Sequence, residues 1–275
     1  MKFDLVKDLD DEKFRRLTGV KRSTFNKMIS ILDMSIKNRK ASSGRKKKLS
    51  LENSLLMSLE YIREYRTYFH ISQSYGVSES SAYKTVKWVE DTLIKHPDFA
   101  LPGRKALLKS DTEYEVVLID ATETPIERPK KKQKRFYSGK KKRHTLKTQV
   151  VVDKKRQRIL CTAFSTGKRH DFRLFKESKT SIYPSIRVVT DSGYQGLQKI
   201  HSNTQMPKKR SKKHPLTHQD KRNNRQLSSD RVINENIIGC LKRFKIISDR
   251  YRNRRKRFSL RFNLIAGIYN LEVPQ

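Results

Sequence analysis

The sequence predicts an α/β fold: a mixed sheet flanked by helices, preceded by a small all-α region carrying a helix-turn-helix. Three observations predict it. Residues 1–100 place apolar side chains at helical spacing and contain no strand-like run. From about residue 110, short β-rich runs ("VVLI", "TLKTQVVVD", "RILCTAFSTG", "RVVT") alternate with helical stretches, the pattern of one sheet with helices around it. Charge changes at the same place: residues 1–100 hold 20 basic and 13 acidic residues, and residues 101–275 hold 44 and 15. These shifts divide the chain into a helical region, 1–100, and a mixed domain, 110–275.

Along the helical region, "STFNKMISIL" reads as a helix with Ser23 as N-cap and Phe25, Met28, Ile29 and Leu32 inward. "ASSGRKKKLS" (41–50) reads as a basic linker. Ser50 then caps a second helix, with Leu51, Leu55, Leu59 and Ile62 inward. Next come a short helix ending at Tyr75, Gly76 suited to a left-handed turn, and Ser78 as N-cap of a longer helix. Ala82, Val86, Val89 and Leu93 form the apolar face of that helix, and Ser80, Tyr83, Lys84 and Lys87 fall largely outside it. This stretch, about 67–95, has the pattern of a helix-turn-helix whose second helix lies in the major groove. An ordinary helical hairpin would also set a glycine between two amphipathic helices. In so basic a chain the DNA-binding alternative is favoured.

In the mixed domain, three strand-like runs (116–119, 145–153 and 158–167) precede a helix at 170–178. A strand ending in Asp191, a Gly-flanked turn, a short helix "LQKIHSN" and a short strand in "QMPKKR" follow. Residues 208–230 read as an exposed polar loop. Val232, Ile233, Ile237, Ile238, Leu241 and Phe244 recur at helical spacing, and "SLRFNLIAGIYNLE" reads as a final amphipathic helix.

A formal charge of +36 and a pI near 10.3 are the electrostatic footprint of a nucleic-acid binder. A merely solubilising surface seldom needs so large an excess. Membrane spanning is excluded as an expectation, since no apolar run approaches the roughly 18 residues of a spanning helix. The N-terminal "MKFDLVKDLDDEKF" carries acids where a signal peptide needs an apolar core. Cys161 and Cys240 fit no zinc spacing and read as buried, reduced thiols, which suits a reducing, DNA-containing compartment.

Candidate chemistry rests on three acids. Asp120 and Asp191 each follow an apolar run, where ligand sites of open α/β sheets gather. If the two strands are neighbours, both carboxylates converge. Glu235 lies beside the apolar stripe of its helix, a position that could aim it at the sheet. Three converging carboxylates need a counter-charge, and hard oxygen ligands suit Mg2+ or Mn2+. Two such ions can activate water and stabilise the leaving 3′ oxygen of a phosphodiester. Any one of these acids alone would more often be a turn former or a salt-bridge partner.

The blocks "DATETPIERP", "YSGKKKRHTLKTQ", "GKRHDFRLF", "DSGYQG" and "ENIIGCLKRFKIISDRYRNRR" resemble those of bacterial insertion-sequence transposases of the DDE superfamily-endonuclease type, relatives of the Harbinger-like group. The resemblance runs from about residue 110 to the end, with the preceding part similar to that family's helix-turn-helix segment. It implies an RNase H-like catalytic domain and cut-and-paste DNA transposition. By position, the family's catalytic acids match Asp120, Asp191 (followed by Gly193 and Tyr194) and Glu235. The signature Tyr-x2-Arg-x3-Glu-x6-Lys is met at Arg231, Glu235 and Lys242, with Ser228 in the tyrosine slot.

Arg231 and Lys242 are expected to grip a phosphate beside the cut, ahead of a plain intrahelical ion pair. His170 and Asp171 match a family block, but a cap or core contact is as good a reading. Glu123 and Glu127 are expected to pair at the surface with the basic run from Arg128 to Lys147. Tyr137 with Lys140, Lys141, Lys142 and Arg143 would clamp DNA, although a solvated hairpin would look the same. Arg252, Arg254 and Arg255 would contact backbone phosphate without reading sequence.

The function expected is therefore metal-dependent cleavage at terminal inverted repeats and strand transfer into target DNA. The partner would be double-stranded DNA, with a homodimer or higher oligomer pairing two ends, in the bacterial cytoplasm at the nucleoid. The rivals are a non-catalytic, domesticated DNA-binding protein, and a nuclease or resolvase on the same fold.

Overall fold

A computed structural model describes residues 2–38, 48–108, 114–210 and 215–274. Most of the basic linker expected at 41–50 lies outside the described residues. In chain order the elements are α1 (Asp11–Thr18), α2 (Arg22–Lys37), α3 (Leu51–Glu64), α4 (Tyr68–Tyr75) and α5 (Glu79–Leu93). There follow β1 (Val116–Pro125), α6 (Gln133–Phe136), β2 (Tyr137–Ser138), β3 (Arg143–Asp153), β4 (Ile159–Thr166), α7 (Asp171–Glu177), β5 (Arg187–Thr190) and β6 (Thr204–Gln205). The chain ends in α8 (His218–Lys242), α9 (Lys245–Ser248) and α10 (Phe258–Glu272).

The chain forms two compact units, and they do not follow chain order. The first holds Met1–Ala100 together with Leu241–Asp249 and Asn253–Glu272. The sequence kept 110–275 together, but α10 belongs by packing to the helical unit. Its composition explains this: Phe258, Phe262, Leu264, Ile265, Ala266 and Ile268 bury its flanks on several sides, so it is an interior helix rather than an amphipathic one. Gly267 allows that approach, because a Cβ there would collide with the Phe99 carbonyl. Buried acids then lock the helix in place. Glu90 of α5 accepts from Arg257 (2.6 Å) and Arg261 (2.7 Å), and Glu272 accepts from Arg15 (3.1 Å) and Arg243 (3.0 Å).

At the centre of this unit α3 is buried continuously from Ser54 to Ile62, and Ser50 caps it by accepting from Asn53 N, as expected. For α2 the start differs. The helix begins at Arg22, so Ser23 sits exposed in the first turn instead of capping, and Ile31 rather than Ile29 joins Phe25, Met28 and Leu32 in the core. The helix-turn-helix agrees with the sequence residue by residue. Gly76 is left-handed after Tyr75, Ser78 accepts from Ser81 N, and Ala82, Val86, Val89 and Leu93 are buried.

The second unit holds Leu101–Cys240, Arg250–Arg252 and Val273–Gln275. Its sheet runs β4-β3-β1-β5-β6, with β2 pairing the start of β3. β1 is antiparallel to β3 and parallel to β5, so this is the mixed-sheet α/β class expected. One face carries Val117, Ile119, Val151 and Val188, packed with Phe175 of α7 and with Tyr194. The short last strand is Thr204–Gln205, which overlaps the run proposed for it only at Gln205.

Most of the expected loop at 208–230 is helix, since α8 starts at His218. A reciprocal cap holds its first turn: Thr217 N donates to Asp220 Oδ2 (3.0 Å) and Asp220 N donates to Thr217 Oγ1 (3.1 Å). The helix is polar nearly all round there and so carries no apolar periodicity in its first turns. Cys161 is buried, and burial pushes its thiol up to about 12, but Cys240 is exposed on α8, against expectation.

Candidate active site

The parallel pairing of β1 with β5 ends at Ile119 opposite Thr190. The next residues are Asp120 and Asp191. The two acids therefore directly follow neighbouring strands, whose backbones in any sheet lie about 4.8 Å apart, and the charge of Asp191 acts on Asp120. Asp120 is not at the end of its strand, as the sequence indicated. β1 continues to Pro125 against β3, and it is the β5 partner that stops. Asp191 leaves the sheet and caps a tight turn by accepting from Gly193 N at 2.9 Å.

Burial raises the Asp120 carboxyl to about 6. A hydrogen bond from Ala121 N to Asp120 Oδ1 (2.7 Å) and the charge of Arg231 oppose that rise, while the charges of Asp191 and Asp171 add to it. Two neighbouring carboxylates, one pushed toward protonation by burial and by the charge of the other, fit a hard divalent cation.

Glu235 does not join them in this arrangement. Its side chain is 59% exposed and its Oε1 lies 3.6 Å from Arg231 Nη2, one helical turn away. The inward stripe of α8 runs through Asp230, Asn234, Ile237, Ile238 and Leu241, leaving Glu235 about 100° off it. Asp230 makes the inward pairing, with Lys154 Nζ at 2.7 Å. Val232, expected to be apolar and inward, is exposed. Among the described residues no three His, Cys, Asp or Glu side chains group closely enough to hold a metal ion. The expected meeting of all three acids is thus absent for Glu235, and Arg231 forms the intrahelical pair while its charge also acts on Asp120.

Sequence reasoning missed a second set of charges. Glu123 is directly opposite Lys147 in the β1–β3 register. Its carboxylate accepts from Ser138 Oγ (3.1 Å) and Thr145 Oγ1 (2.7 Å), and Lys147 Nζ is 3.7 Å away. Glu123 does pair with a lysine of the basic run, Lys147, but with its side chain buried on the sheet rather than at the surface, whereas Glu127 is exposed. Lys147 Nζ donates to Asp171 Oδ1 (2.7 Å) and to Arg169 O (2.6 Å). The signal was available: Glu123 and Lys147 share strand parity with Val117, Ile119 and Val151, which face the core.

An open cleft of about 890 Å3 runs beside the Asp191 turn, lined by His170, Phe172, Arg173, Lys176, Gly193 and Lys209 among others. His170 precedes α7 without a capping hydrogen bond from its side chain. Tyr194 is fully buried, and its hydroxyl finds no hydrogen-bond partner among the described residues. The expected DNA contacts Lys140, Lys141, Lys142 and Arg143 are all exposed in the turn leading into β3, next to exposed Tyr137. Arg252, Arg254 and Arg255 are exposed as well, and Lys242 is half-buried at the end of α8. In the helical unit, Ser80, Ser81, Tyr83, Lys84 and Lys87 form the exposed face of α5, and Phe69 is exposed on α4.

A helix-turn-helix followed in the chain by a mixed α/β sheet is the arrangement of a protein that acts on DNA. The chain belongs to the DDE superfamily endonucleases, whose family matches residues 119–270, and the helix-turn-helix of DDE superfamily endonucleases matches residues 47–99. It is a transposase of that superfamily, 46% identical over 273 residues to the "Probable transposase for insertion sequence element IS702" of Microchaete diplosiphon, with 99% of each chain covered. No solved structure matches. DDE superfamily endonucleases generally use divalent metal ions, and the family assignment implies DNA binding. Among the described residues no helix is long and apolar enough to cross a membrane.

Proposed function

We propose that this transposase nicks the ends of its element at terminal inverted repeats and joins the freed ends to target DNA, with Asp120, Asp191 and Glu235 as its acids. The observation that carries this is the register that sets Asp120 beside Asp191. Water attacks the phosphodiester first: a new P–O bond forms and the bond to the 3′ oxygen breaks, leaving a 3′-hydroxyl. That hydroxyl then attacks a target phosphodiester, and the target's own 3′ oxygen leaves. Mg2+ or Mn2+, in our reading two ions, would polarise the phosphate and lower the pKa of water when bound.

Asp120 and Asp191 supply the fixed half of the site. Glu235 supplies the mobile half, and Arg231 is the switch between them. A DNA phosphate competing for the Arg231 guanidinium would release Glu235 and unmask Asp120 together. Rotation of an exposed side chain on a helix is a fast, low-cost motion. Lys84 and Lys87 on α5 would grip the repeat. Lys140, Lys141, Lys142 and Arg143 would hold backbone near the cut, as would Lys242, Arg252, Arg254 and Arg255. His170 and Gly193 border the cleft where the strand would lie. Pairing two element ends calls for a homodimer or larger assembly, working at the bacterial nucleoid in the cytoplasm.

A strand-transfer assay tests this. Labelled terminal-repeat duplex with Mg2+ should give nicked ends and then joined products. Nicking without joining would assign a nuclease or resolvase, and binding without nicking a non-catalytic DNA-binding protein.

A further inference from the structure

The face of the sheet that packs under α7 turns from apolar to ionic at one end. Val117, Ile119 and Val151 give way to Glu123 and Lys147, and Asp171 opens α7 above them. Lys147 is 8% exposed and holds Asp171 by Oδ1 only. The other oxygen lies against Gly193: a Cβ built there would stand 2.5 Å from Asp171 Oδ2 and 3.0 Å from Asp191 Oδ1. Asp171 and Asp191 thus flank one face of one glycine, and a side chain at 193 would wedge them apart. The buried Tyr194 hydroxyl, without a hydrogen-bond partner among the described residues, feels the charges of Asp171, Asp120 and Asp191 together.

We propose that Asp171, clamped at one oxygen by buried Lys147, is a positioning residue that keeps a negative charge beside the Asp191–Gly193 turn and so raises the affinity of the Asp120/Asp191 pair for a divalent cation. The charge balance supports it. One ammonium, Lys147, is shared by two carboxylates, Glu123 and Asp171, so Asp171 is not matched by a lysine of its own. Glu123 keeps Lys147 from neutralising Asp171 outright. In a partly buried setting such a charge acts over several ångströms with little screening. The inference rests on the reading of Asp120 and Asp191 as the cation-binding pair.

The test is a Mn2+ titration of the full chain without DNA, following free Mn2+ by its electron paramagnetic resonance signal. It is paired with nicking of terminal-repeat duplex across the same Mn2+ range. Asp171→Asn keeps an acceptor for Lys147 and removes only the charge. It should bind Mn2+ roughly ten-fold more weakly, with nicking half-saturating at correspondingly higher Mn2+ and recovering at saturation. Asp171→Glu should restore most of the affinity. Glu123→Gln, which leaves Lys147 to cancel Asp171, should weaken Mn2+ in the same direction and serves where Asp171→Asn does not fold.

Unchanged Mn2+ affinity in the folded variants overturns the inference. So does nicking lost at every Mn2+ concentration with affinity intact. Asp120→Asn separates the two claims. If it binds Mn2+ as the wild type does, the reading of the aspartate pair fails. If it loses Mn2+ while Asp171→Asn does not, only the role of Asp171 fails.

Discussion

Asp120 and Asp191 extend past Ile119 and Thr190, the last partners of the parallel β1–β5 ladder, and the proposed chemistry rests on this juxtaposition. Hydrogen bonding of the backbone fixes it, so no side-chain rearrangement is needed to bring the pair together. The cost is visible at Asp120, whose burial beside like charges favours its protonated form.

That cost makes Asp120 a destabilising residue in the metal-free protein. A carboxyl at about 6 in the fold and 3.8 in the unfolded chain adds stability below pH 3.8 and loses it as pH rises through about 6. At pH 7.5 without metal, Asp120→Asn should therefore stabilise the protein, on the order of 2 kcal/mol. The gain should vanish near pH 4. Urea unfolding at the two pH values measures it, and equal stabilisation at both would contradict the cause given.

The same carboxyl predicts a pH limit on the reaction. Cation binding needs Asp120 ionised, so Mn2+ affinity should fall as pH drops through about 6. Arg231 lowers the proton affinity of Asp120. Arg231→Gln should therefore move the midpoint to higher pH, while weakening DNA binding through loss of a phosphate contact. A midpoint that stays put or moves down would show that Arg231 does not face Asp120.

On α5, the exposed Lys84 and Lys87 stand where the second helix of a helix-turn-helix meets DNA. Replacing either with Ala should weaken binding to the terminal repeat and reduce the salt slope of log K by about 1 each. A fluorescence-anisotropy titration across salt concentrations reads both. An unchanged slope would move the DNA surface elsewhere.

Glu90 serves the fold rather than the reaction. Glu90→Gln removes the carboxylate charge that pairs with Arg261, 3% exposed on its side chain. Loss of one partner of such a buried pair costs about 3–5 kcal/mol. Chemical denaturation should show a loss of that order, and a loss below about 1 kcal/mol would mean water reaches the pair.

Much of this was legible in the sequence where local rules dominate. Gly76 and Ser78 announced the helix-turn-helix, and "VVLI" and "RVVT" announced the strands that carry the two aspartates. What failed depended on tertiary choices. Asp230 and Asn234, polar by type, took the inward stripe of α8 that Val232 and Ile233 were expected to fill, and this turned Glu235 outward. Glu123 and Lys147 are far apart in sequence and become partners only through the β1–β3 register. The N-terminal turns of α8 had no apolar period, although Thr217 and Asp220 already spelled its cap.

The most direct test of the paired acids is Mg2+-dependent nicking of terminal-repeat duplex by the wild type, Asp120→Asn, Asp191→Asn and Glu235→Gln, with repeat binding measured alongside. Binding should survive in all of them, and nicking should fall by several orders of magnitude in each variant. Nicking by Asp120→Asn or Asp191→Asn at the wild-type rate would contradict the assignment of the reaction to this pair of strands.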